Sequence, residues 1–170
     1  DIDYQIEADY SGLIAPGMQH VPIQLGETFG RVVNYGDGIY GGQFVGGMYA
    51  AAFFETEPEQ IVRAGLKCIP ADSQYAECIR DVLEWWKIHP HDWQATWRRI
   101  EAKYNENPEY RKGSCGGGRK EFNIDAKING AYIVVGLLYG QRDPDQTIVI
   151  ATRCGQDSDC NPSSAAGILF

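Results

Sequence analysis

The sequence has few positive charges for its length. Its 170 residues include 15 Lys and Arg against 23 Asp and Glu, which gives a formal net charge of -8. Binding to a nucleic-acid backbone depends on clustered Lys and Arg, whereas these basic residues are scattered along the chain. The composition therefore predicts a protein without a nucleic-acid partner. It also predicts that an anionic substrate is compensated locally, by a metal ion or by helix N-termini.

Long apolar runs and paired cysteines are also lacking. No stretch reaches the roughly 18 consecutive apolar residues that a membrane-spanning helix needs, so we expect no membrane span. The five Cys residues show no CxxC spacing, which argues against a zinc site and against a disulfide scaffold. Because five is an odd number, at least one thiol is free unless two chains are linked. The sequence begins at Asp1 with no targeting segment, which leaves the compartment open.

Helical periodicity dominates what is present, and 44% of the residues are hydrophobic. Apolar spacing, Pro and acids at the starts and Gly or Pro at the ends predict helices over 41–56, 58–70, 72–90, 91–104, 126–140 and 143–155. The β-branched residues of the last range fit a strand as an alternative, and the run 31–35 fits an extended segment. Residues 105–120 are polar and Gly-rich, which predicts a surface loop. We therefore predict an all-α helical bundle, with 1–170 forming a single domain or a fragment of one.

A glycine pattern near residue 40 has two interpretations. Gly36, Gly38 and Gly41 have the GxGxxG spacing of a dinucleotide-binding turn, which would favour a nucleotide-dependent oxidoreductase. However, Asp37 would place a carboxylate where that turn receives a pyrophosphate. We favour a Gly-rich loop that leads into a tightly packed helix. A protein dominated by helices would exclude the oxidoreductase.

The stretch CGQDSDCNP, residues 154–162, carries two carboxylates two residues apart. Asp157, Asp159 and Asn161 match the first three ligand positions of an EF-hand loop. The sixth position of that loop requires Gly and the twelfth a bidentate Glu, whereas the sequence has Pro162 and Ile168 there. This stretch is therefore not an EF-hand.

The same stretch also looks like the start of a helix. Asn161 suits the N-cap position and Pro162 suits the first helical residue. An acidic helix start that complements the helix dipole would explain one carboxylate. Two carboxylates, Asp157 and Asp159, favour oxygen ligands for a hard cation such as Mg²⁺ or Mn²⁺.

Three segments together resemble the ADP-ribosylglycohydrolase family. RDPDQTIVIATRCGQDSDCNPSSAAGILF resembles its C-terminal signature, a G-x-D-x-D-T motif followed by a helix of small residues, with Gly155, Asp157 and Asp159 at the matching positions. NGAYIVVGLLYG resembles the buried helix that precedes this motif. NYGDGIYGGQFVGGMYAAAFF resembles an earlier segment, in which a Thr-His-Gly-Asp-like loop enters an Ala-rich helix. The resemblance covers most of the chain and is strongest over 126–170.

This resemblance implies an all-α fold and a binuclear Mg²⁺ or Mn²⁺ centre. Such a centre hydrolyses the N- or O-glycosidic bond between ADP-ribose and a protein side chain or small acceptor. The resemblance gives Asp157 and Asp159 the roles of metal ligands and catalytic carboxylates. Cys160 stands at a third ligand position, where the family usually has Thr. Since a thiol is a poor ligand for Mg²⁺, Asn161 is the alternative ligand.

The resemblance also implies a substrate site. Tyr35, Asp37 and Gly155 would bind the ADP-ribosyl group of an ADP-ribosylated protein or of a small ADP-ribosyl or ribosyl compound. Tyr35 replaces the family's loop His, so it can stack on or hydrogen-bond to a ribose or adenine but cannot titrate near neutral pH.

The family's remaining metal ligands, an early Glu and an Asp-Asp-Thr motif, have no counterpart in this sequence. We therefore expect a fragment, or a divergent short member, that holds part of the site. Apolar surface where a missing half would pack favours association, for example as a homo-oligomer. Two functions remain open: a metal-dependent hydrolase of ADP-ribosyl or related ribosyl linkages, or a catalytically inactive helical module that binds a nucleotide or ribose.

Overall fold

The computed structural model describes residues 1–111 and 124–170, and within these ranges the regular structure is helical, without strands. In chain order the helices are α1 (Asp3–Glu7), α2 (Asp9–Leu13), α3 (His20–Leu25), α4 (Arg31–Val33), α5 (Asp37–Ala52), α6 (Pro58–Leu66), α7 (Gln74–Ile88), α8 (Trp93–Ile100), α9 (Pro108–Arg111), α10 (Ala126–Tyr139), α11 (Pro144–Cys154) and α12 (Cys160–Leu169). One π-helical turn, Gly26–Gly30, follows α3, and another, Glu101–Asn105, follows α8. The predicted all-α fold is confirmed.

Local sequence signals explain where several helices begin. Ser73, Asp92 and Asp143 precede α7, α8 and α11, and each side chain accepts a hydrogen bond from the backbone N–H three residues later. Pro58 and Pro144 occupy the first helical positions of α6 and α11, where a missing N–H costs no hydrogen bond. The segment that fitted a strand as an alternative is therefore helical, as we predicted.

Two buried helices, α5 and α10, form the centre of the bundle. Helix α5 packs against α1, α2, α6 and α10, and α10 packs against α7, α11 and α12. Glycines permit this close approach at two contacts: a Cβ at Gly46 would overlap the Ser11 hydroxyl, and a Cβ at Gly130 would overlap the Tyr75 hydroxyl. A side-chain hydrogen bond from Asn161 to Asn129 holds the start of α12 next to the start of α10.

The prediction that residues 31–35 are extended is wrong. Arg31–Val33 forms α4, which continues directly from the π-helical turn, and Asn34 then has an extended backbone with φ -134° and ψ 172°. Val32 and Val33 are 79% and 50% exposed. A β-branched pair favours a strand only where neighbouring strands pack against it, and the described residues provide none.

The predicted surface loop at 105–120 lies only partly within the described residues. Asn105 ends the π-helical turn, and Pro108–Arg111 forms α9 with Arg111 3% exposed. Residues 112–120 are outside the described ranges, so the loop stays a prediction.

An apolar surface lies where α2, the end of α5 and the end of α12 meet. A groove of about 270 Å³ is lined there by Leu13, Tyr49, Phe53, Ile168 and Phe170. Three of these side chains are exposed, with fractions of 48% for Leu13, 51% for Phe53 and 88% for Phe170. The predicted association through apolar surface stays a prediction. None of the helices in 1–111 and 124–170 has both the length and the apolar character to cross a membrane.

Candidate metal site

The turn between α11 and α12 carries the two carboxylates. Its path is set by two residues with positive φ, Gly155 at +97° and Gln156 at +51°. The turn then reverses into α12, where Oδ1 of Asp157 accepts a hydrogen bond of 3.2 Å from the backbone N–H of Cys160. The carboxylate of Asp157 is thereby fixed over the first turn of α12.

The start of α12 differs from the sequence prediction. Asp159 occupies the N-cap position and Cys160 is the first helical residue, so Asn161 is not the N-cap and Pro162 is not the first helical residue. The side chain of Asn161 is fully buried instead, and its Nδ2 donates to Oδ1 of Asn129 at 2.8 Å. This long-range partner keeps Asn161 from acting as a cap.

The structure brings together the three metal ligands that the sequence predicted. Asp157, Asp159 and Cys160 each have one ligand atom within 4.8 Å of the others. Asp159 is exposed and the other two are half-buried, so the cluster is open to solvent on one side. An ion bound here would be held by the protein on one side and by water on the other.

The two carboxylates influence each other strongly. Burial raises the pKa of Asp157, and its hydrogen bond with Asp159 raises it further. The same hydrogen bond lowers the pKa of Asp159. Two neighbouring carboxylates repel each other when both are ionised, and a shared proton or a cation relieves that repulsion. The two carboxylates therefore favour binding of a proton or a metal cation between them.

Among the nearby donors, oxygen suits this position better than sulfur. Burial, followed by the charge of Asp157, raises the pKa of the Cys160 thiol to about 11. Since the thiolate is the form that binds metals, the neutral thiol is a poor ligand near pH 7. Oδ1 of the buried Asn161 has no hydrogen-bond partner among the described residues. The two carboxylates, with the amide oxygen of Asn161 as a further candidate donor from the same helix start, offer the oxygen ligands that Mg²⁺ or Mn²⁺ prefers.

Asn129 on α10, which the sequence reasoning did not single out, joins this turn to the bundle core. Its Oδ1 accepts hydrogen bonds from the backbone N–H of Asp157 at 3.1 Å and from Asn161. Its Nδ2 donates to Oε1 of Gln156 and to the carbonyl of Asp125, each at 3.0 Å. An Asn within a mostly apolar helix is the sequence signal that would have identified it.

A pocket of about 260 Å³ lies beside the carboxylate pair. Asp9, Tyr49, Asp159, Cys160 and Ser164 are among its lining residues. Burial, and next the charge of Asp9, raise the pKa of Tyr49 to about 12. The N-terminal helices thus add a further carboxylate to the neighbourhood of α12, a contact that spacing along the sequence does not reveal.

Asp37, a predicted substrate-binding residue, lies near the start of α10. Burial raises the pKa of its carboxyl group, while the charge of Lys127 lowers it and that of Asp125 raises it. Asp125 and Lys127 are themselves 2% and 3% exposed, and Nζ of Lys127 contacts both carboxylate oxygens of Asp125 at 2.9 and 3.1 Å. Arg111 adds a cation 3.5 Å from Asp125. Such pairing is what a buried charge requires.

The first turn of α10 therefore connects two predicted parts of the site. On one side the charges of Asp125 and Lys127 act on Asp37, and on the other Asn129 holds Asp157. The other two predicted substrate-binding residues are accessible: Tyr35 is 74% exposed, and a Cβ built at Gly155 would meet open space. Their binding roles stay predictions.

Comparison with protein families identifies the fold. The family described as ADP-ribosylglycohydrolase matches residues 12–169, which include every predicted site residue. The chain belongs to the ADP-ribosylglycohydrolase family. Searches of curated proteins and of solved structures return no match for it.

Membership in the ADP-ribosylglycohydrolase family confirms the resemblance seen in the sequence. It also removes support from the oxidoreductase alternative. A dinucleotide-binding GxGxxG turn follows a strand, whereas here Gly36 follows helix α4 and Asn34, and residues 1–111 and 124–170 contain no strand.

Proposed function

We propose that this protein is a metal-dependent hydrolase of ADP-ribosyl or related ribosyl glycosidic linkages. The observation that carries the proposal is the convergence of Asp157 and Asp159 at the start of α12, in a chain that belongs to the ADP-ribosylglycohydrolase family. These carboxylates would hold Mg²⁺ or Mn²⁺, with Asn161 or Cys160 as a further ligand. A bound divalent ion would orient ribose hydroxyls and lower the pKa of a water molecule.

The two carboxylates suit different tasks in this chemistry. Asp159 has a lowered pKa, so it stays ionised and serves as a fixed negative ligand. Asp157, whose pKa is raised in the metal-free protein, would accept the proton of an attacking water molecule.

The substrate would contact the loop before α5 and the turn after α11. The exposed ring of Tyr35 is free to stack on an adenine or ribose. Asp37 can accept hydrogen bonds from ribose hydroxyls, and the open space at Gly155 lets a sugar approach the backbone. ADP-ribosylated proteins or small ADP-ribosyl compounds are the substrates that this arrangement favours.

We further propose that the chain contributes one part of the metal centre. The resemblance implies two ions, whereas the described residues bring together one group of acidic and Cys ligands, at Asp157, Asp159 and Cys160. Two carboxylates with water completing the coordination would hold one cation weakly. The isolated chain should therefore release ADP-ribose slowly or not at all.

The test is a release assay with the 170-residue chain. ADP-ribosylated arginine and serine peptides are incubated with the chain and Mn²⁺ or Mg²⁺, and free ADP-ribose is measured by chromatography. We expect slow release that requires the metal and is lost in Asp157→Ala. Rapid turnover would contradict the partial site. Release that persists without metal, or in the variant, would contradict the hydrolase mechanism.

A binding module without catalysis is the second candidate, and the neutral thiol of Cys160 at a ligand position favours it. Calorimetry with ADP-ribose separates the two functions. Binding of ADP-ribose with no release from any of the peptides supports the module. Absence of both binding and release would contradict both candidates.

A further inference from the structure

Asn129 is a fully buried polar residue in the most apolar part of the protein. It lies in the first turn of α10, every residue of which is buried. Burying an amide group costs folding free energy unless its polar atoms form hydrogen bonds. The hydrogen bonds of Asn129 therefore explain why this position can hold an amide.

Among the described residues, both polar atoms of the Asn129 side chain have hydrogen-bond partners, and three of these partners belong to the turn between α11 and α12. Oδ1 accepts from the backbone N–H of Asp157 and from Nδ2 of Asn161 at 3.1 and 2.8 Å. Nδ2 donates to Oε1 of Gln156 and to the carbonyl of Asp125. One side chain thereby holds three residues of the turn, of which Asp157 and Asn161 are candidate ligands.

The turn needs this support because its backbone is unusual. Gln156 has φ +51°, a left-handed backbone conformation that residues other than Gly seldom adopt. Such conformations persist where surrounding contacts enforce them. The hydrogen bond from Nδ2 of Asn129 to Oε1 of Gln156 holds the side chain of the left-handed residue. The hydrogen bond from the backbone N–H of Asp157 to Oδ1 of Asn129 holds the backbone of the following residue.

The same contacts orient ligand atoms. The backbone N–H of Asp157 donates to Asn129, and Oδ1 of Asp157 accepts from the N–H of Cys160. Both the backbone and the carboxylate of Asp157 are therefore held in place. Since Nδ2 of Asn161 is committed to Asn129, the amide oxygen is the atom of Asn161 that stays unpaired among the described residues.

We propose that Asn129 is a positioning residue, which fixes the 156–161 turn so that Asp157 and Asn161 present oxygen atoms to a divalent cation. This inference rests on the proposed function, in which Asp157 and Asp159 bind that cation. Outer partners of metal ligands act in this way in many sites, where their loss weakens metal affinity 10–100-fold.

The test replaces Asn129 by Leu, which has a similar volume but no polar atoms. The matched control is Thr147→Val on α11, which also removes a fully buried polar group; the Thr147 hydroxyl has no hydrogen-bond partner among the described residues. Gln156→Ala is a milder variant that removes one of the four bonds and keeps the others. Each protein is titrated with Mn²⁺, and free Mn²⁺ is followed by electron paramagnetic resonance.

A second readout needs no metal. Amide hydrogen exchange, measured by NMR on the metal-free proteins, reports whether the Asp157 N–H is still protected. We expect Asn129→Leu to weaken Mn²⁺ binding 10–100-fold and to expose the Asp157 amide. Gln156→Ala should weaken binding about threefold, and Thr147→Val should change neither readout.

Two results overturn the inference and are distinguishable from failure of the proposed function. If the wild-type chain binds Mn²⁺ and Asn129→Leu binds it equally well, Asn129 has a structural role only, and the metal site stands. If Asn129→Leu fails to fold, an unchanged Mn²⁺ affinity in Gln156→Ala overturns the inference. If the wild-type chain binds no Mn²⁺, the proposed function fails, and the inference fails with it.

Discussion

A carboxylate oxygen of Asp157 lies within 4.8 Å of a carboxylate oxygen of Asp159 at the start of α12. The consequence is an asymmetric pair, in which the pKa of Asp157 is raised and that of Asp159 is lowered. In the metal-free protein near neutral pH the two carboxylates repel each other when both are ionised, and a bound cation would reduce this repulsion.

Asp157→Asn should stabilise the metal-free protein while abolishing metal binding. A raised pKa in the folded state means that ionisation of Asp157 is disfavoured by folding, so stability falls as the pH rises through the raised pKa. Asn keeps the acceptor for the Cys160 N–H and removes the charge. We expect a gain of about 0.5 kcal/mol at pH 7, kept small by solvent screening.

Urea denaturation with and without Mn²⁺ measures both effects of Asp157→Asn. Asp159→Asn is the matched comparison and should give no gain, because the lowered pKa of Asp159 means that folding favours its ionised form. Burial is the largest cause of the raised pKa of Asp157, and Asp159→Asn leaves that half-buried charge in place. A destabilised Asp157→Asn protein, or one that is still protected by Mn²⁺, would contradict this explanation of the pair.

Metal binding should strengthen as the pH rises above the usual range of Asp carboxyl groups. The cation requires an ionised Asp157, whose pKa is raised, so protons compete with the metal up to that raised pKa. Affinity should rise by up to about tenfold per pH unit below the raised pKa and level off above it. Calorimetry at several pH values, in buffers with different ionisation enthalpies, measures both the affinity and the released proton. An affinity that is constant from pH 4 to 7 would disprove the competition.

Cys160→Thr should shift the site toward hard cations. The Cys160 thiol has a pKa of about 11 and binds Mg²⁺ poorly, whereas a Thr hydroxyl offers an oxygen. We expect Mg²⁺ affinity to rise about tenfold, an effect of the size typical beside a metal, and Cd²⁺ affinity to fall. Competition against Mn²⁺ for the wild-type and variant proteins provides the measurement. Unchanged affinity for both ions would show that residue 160 is not a ligand.

The contact between α10 and α7 predicts a strong packing effect. A Cβ at Gly130 would overlap the Tyr75 hydroxyl, so Gly130→Ala should lower the free energy of unfolding by about 2 kcal/mol. Tyr75→Phe removes that oxygen but leaves the Oε1 atom of Gln5 without this donor. In the double variant we expect the free energy of unfolding to fall by about 1 kcal/mol less than the sum of the falls in the two single variants. Urea denaturation of all three variants measures this difference. Full additivity would mean that Tyr75 and Gly130 do not pack as the structure shows.

The helices were largely predictable because their signals are local. Ser73, Asp92 and Asp143 cap the helices that follow them, and Pro144 identifies a helix start even where β-branched residues suggested a strand. The same logic failed at Val32 and Val33, because their intrinsic preference for strands has no effect without a neighbouring strand.

The candidate site was predictable only in part. Asp157 and Asp159 are two residues apart, so their proximity follows from the sequence alone. Asn161 was predicted as an N-cap because its local position suits one, yet its side chain is held by Asn129, 32 residues earlier. A partner at that distance depends on how α10 packs against α12, which no local pattern encodes. The same applies to the pocket that Asp9 shares with Asp159.

The most direct test of the metal site is a Mn²⁺ titration of four proteins: wild type, Asp157→Ala, Asp159→Ala and Asp145→Ala. Asp145 is an exposed acid in the first turn of α11, so its variant removes the same charge outside the site. We predict weak binding of Mn²⁺ by wild type and Asp145→Ala, and none by the other two. An isotherm that is unchanged in Asp157→Ala and Asp159→Ala would contradict the assignment of these carboxylates as metal ligands.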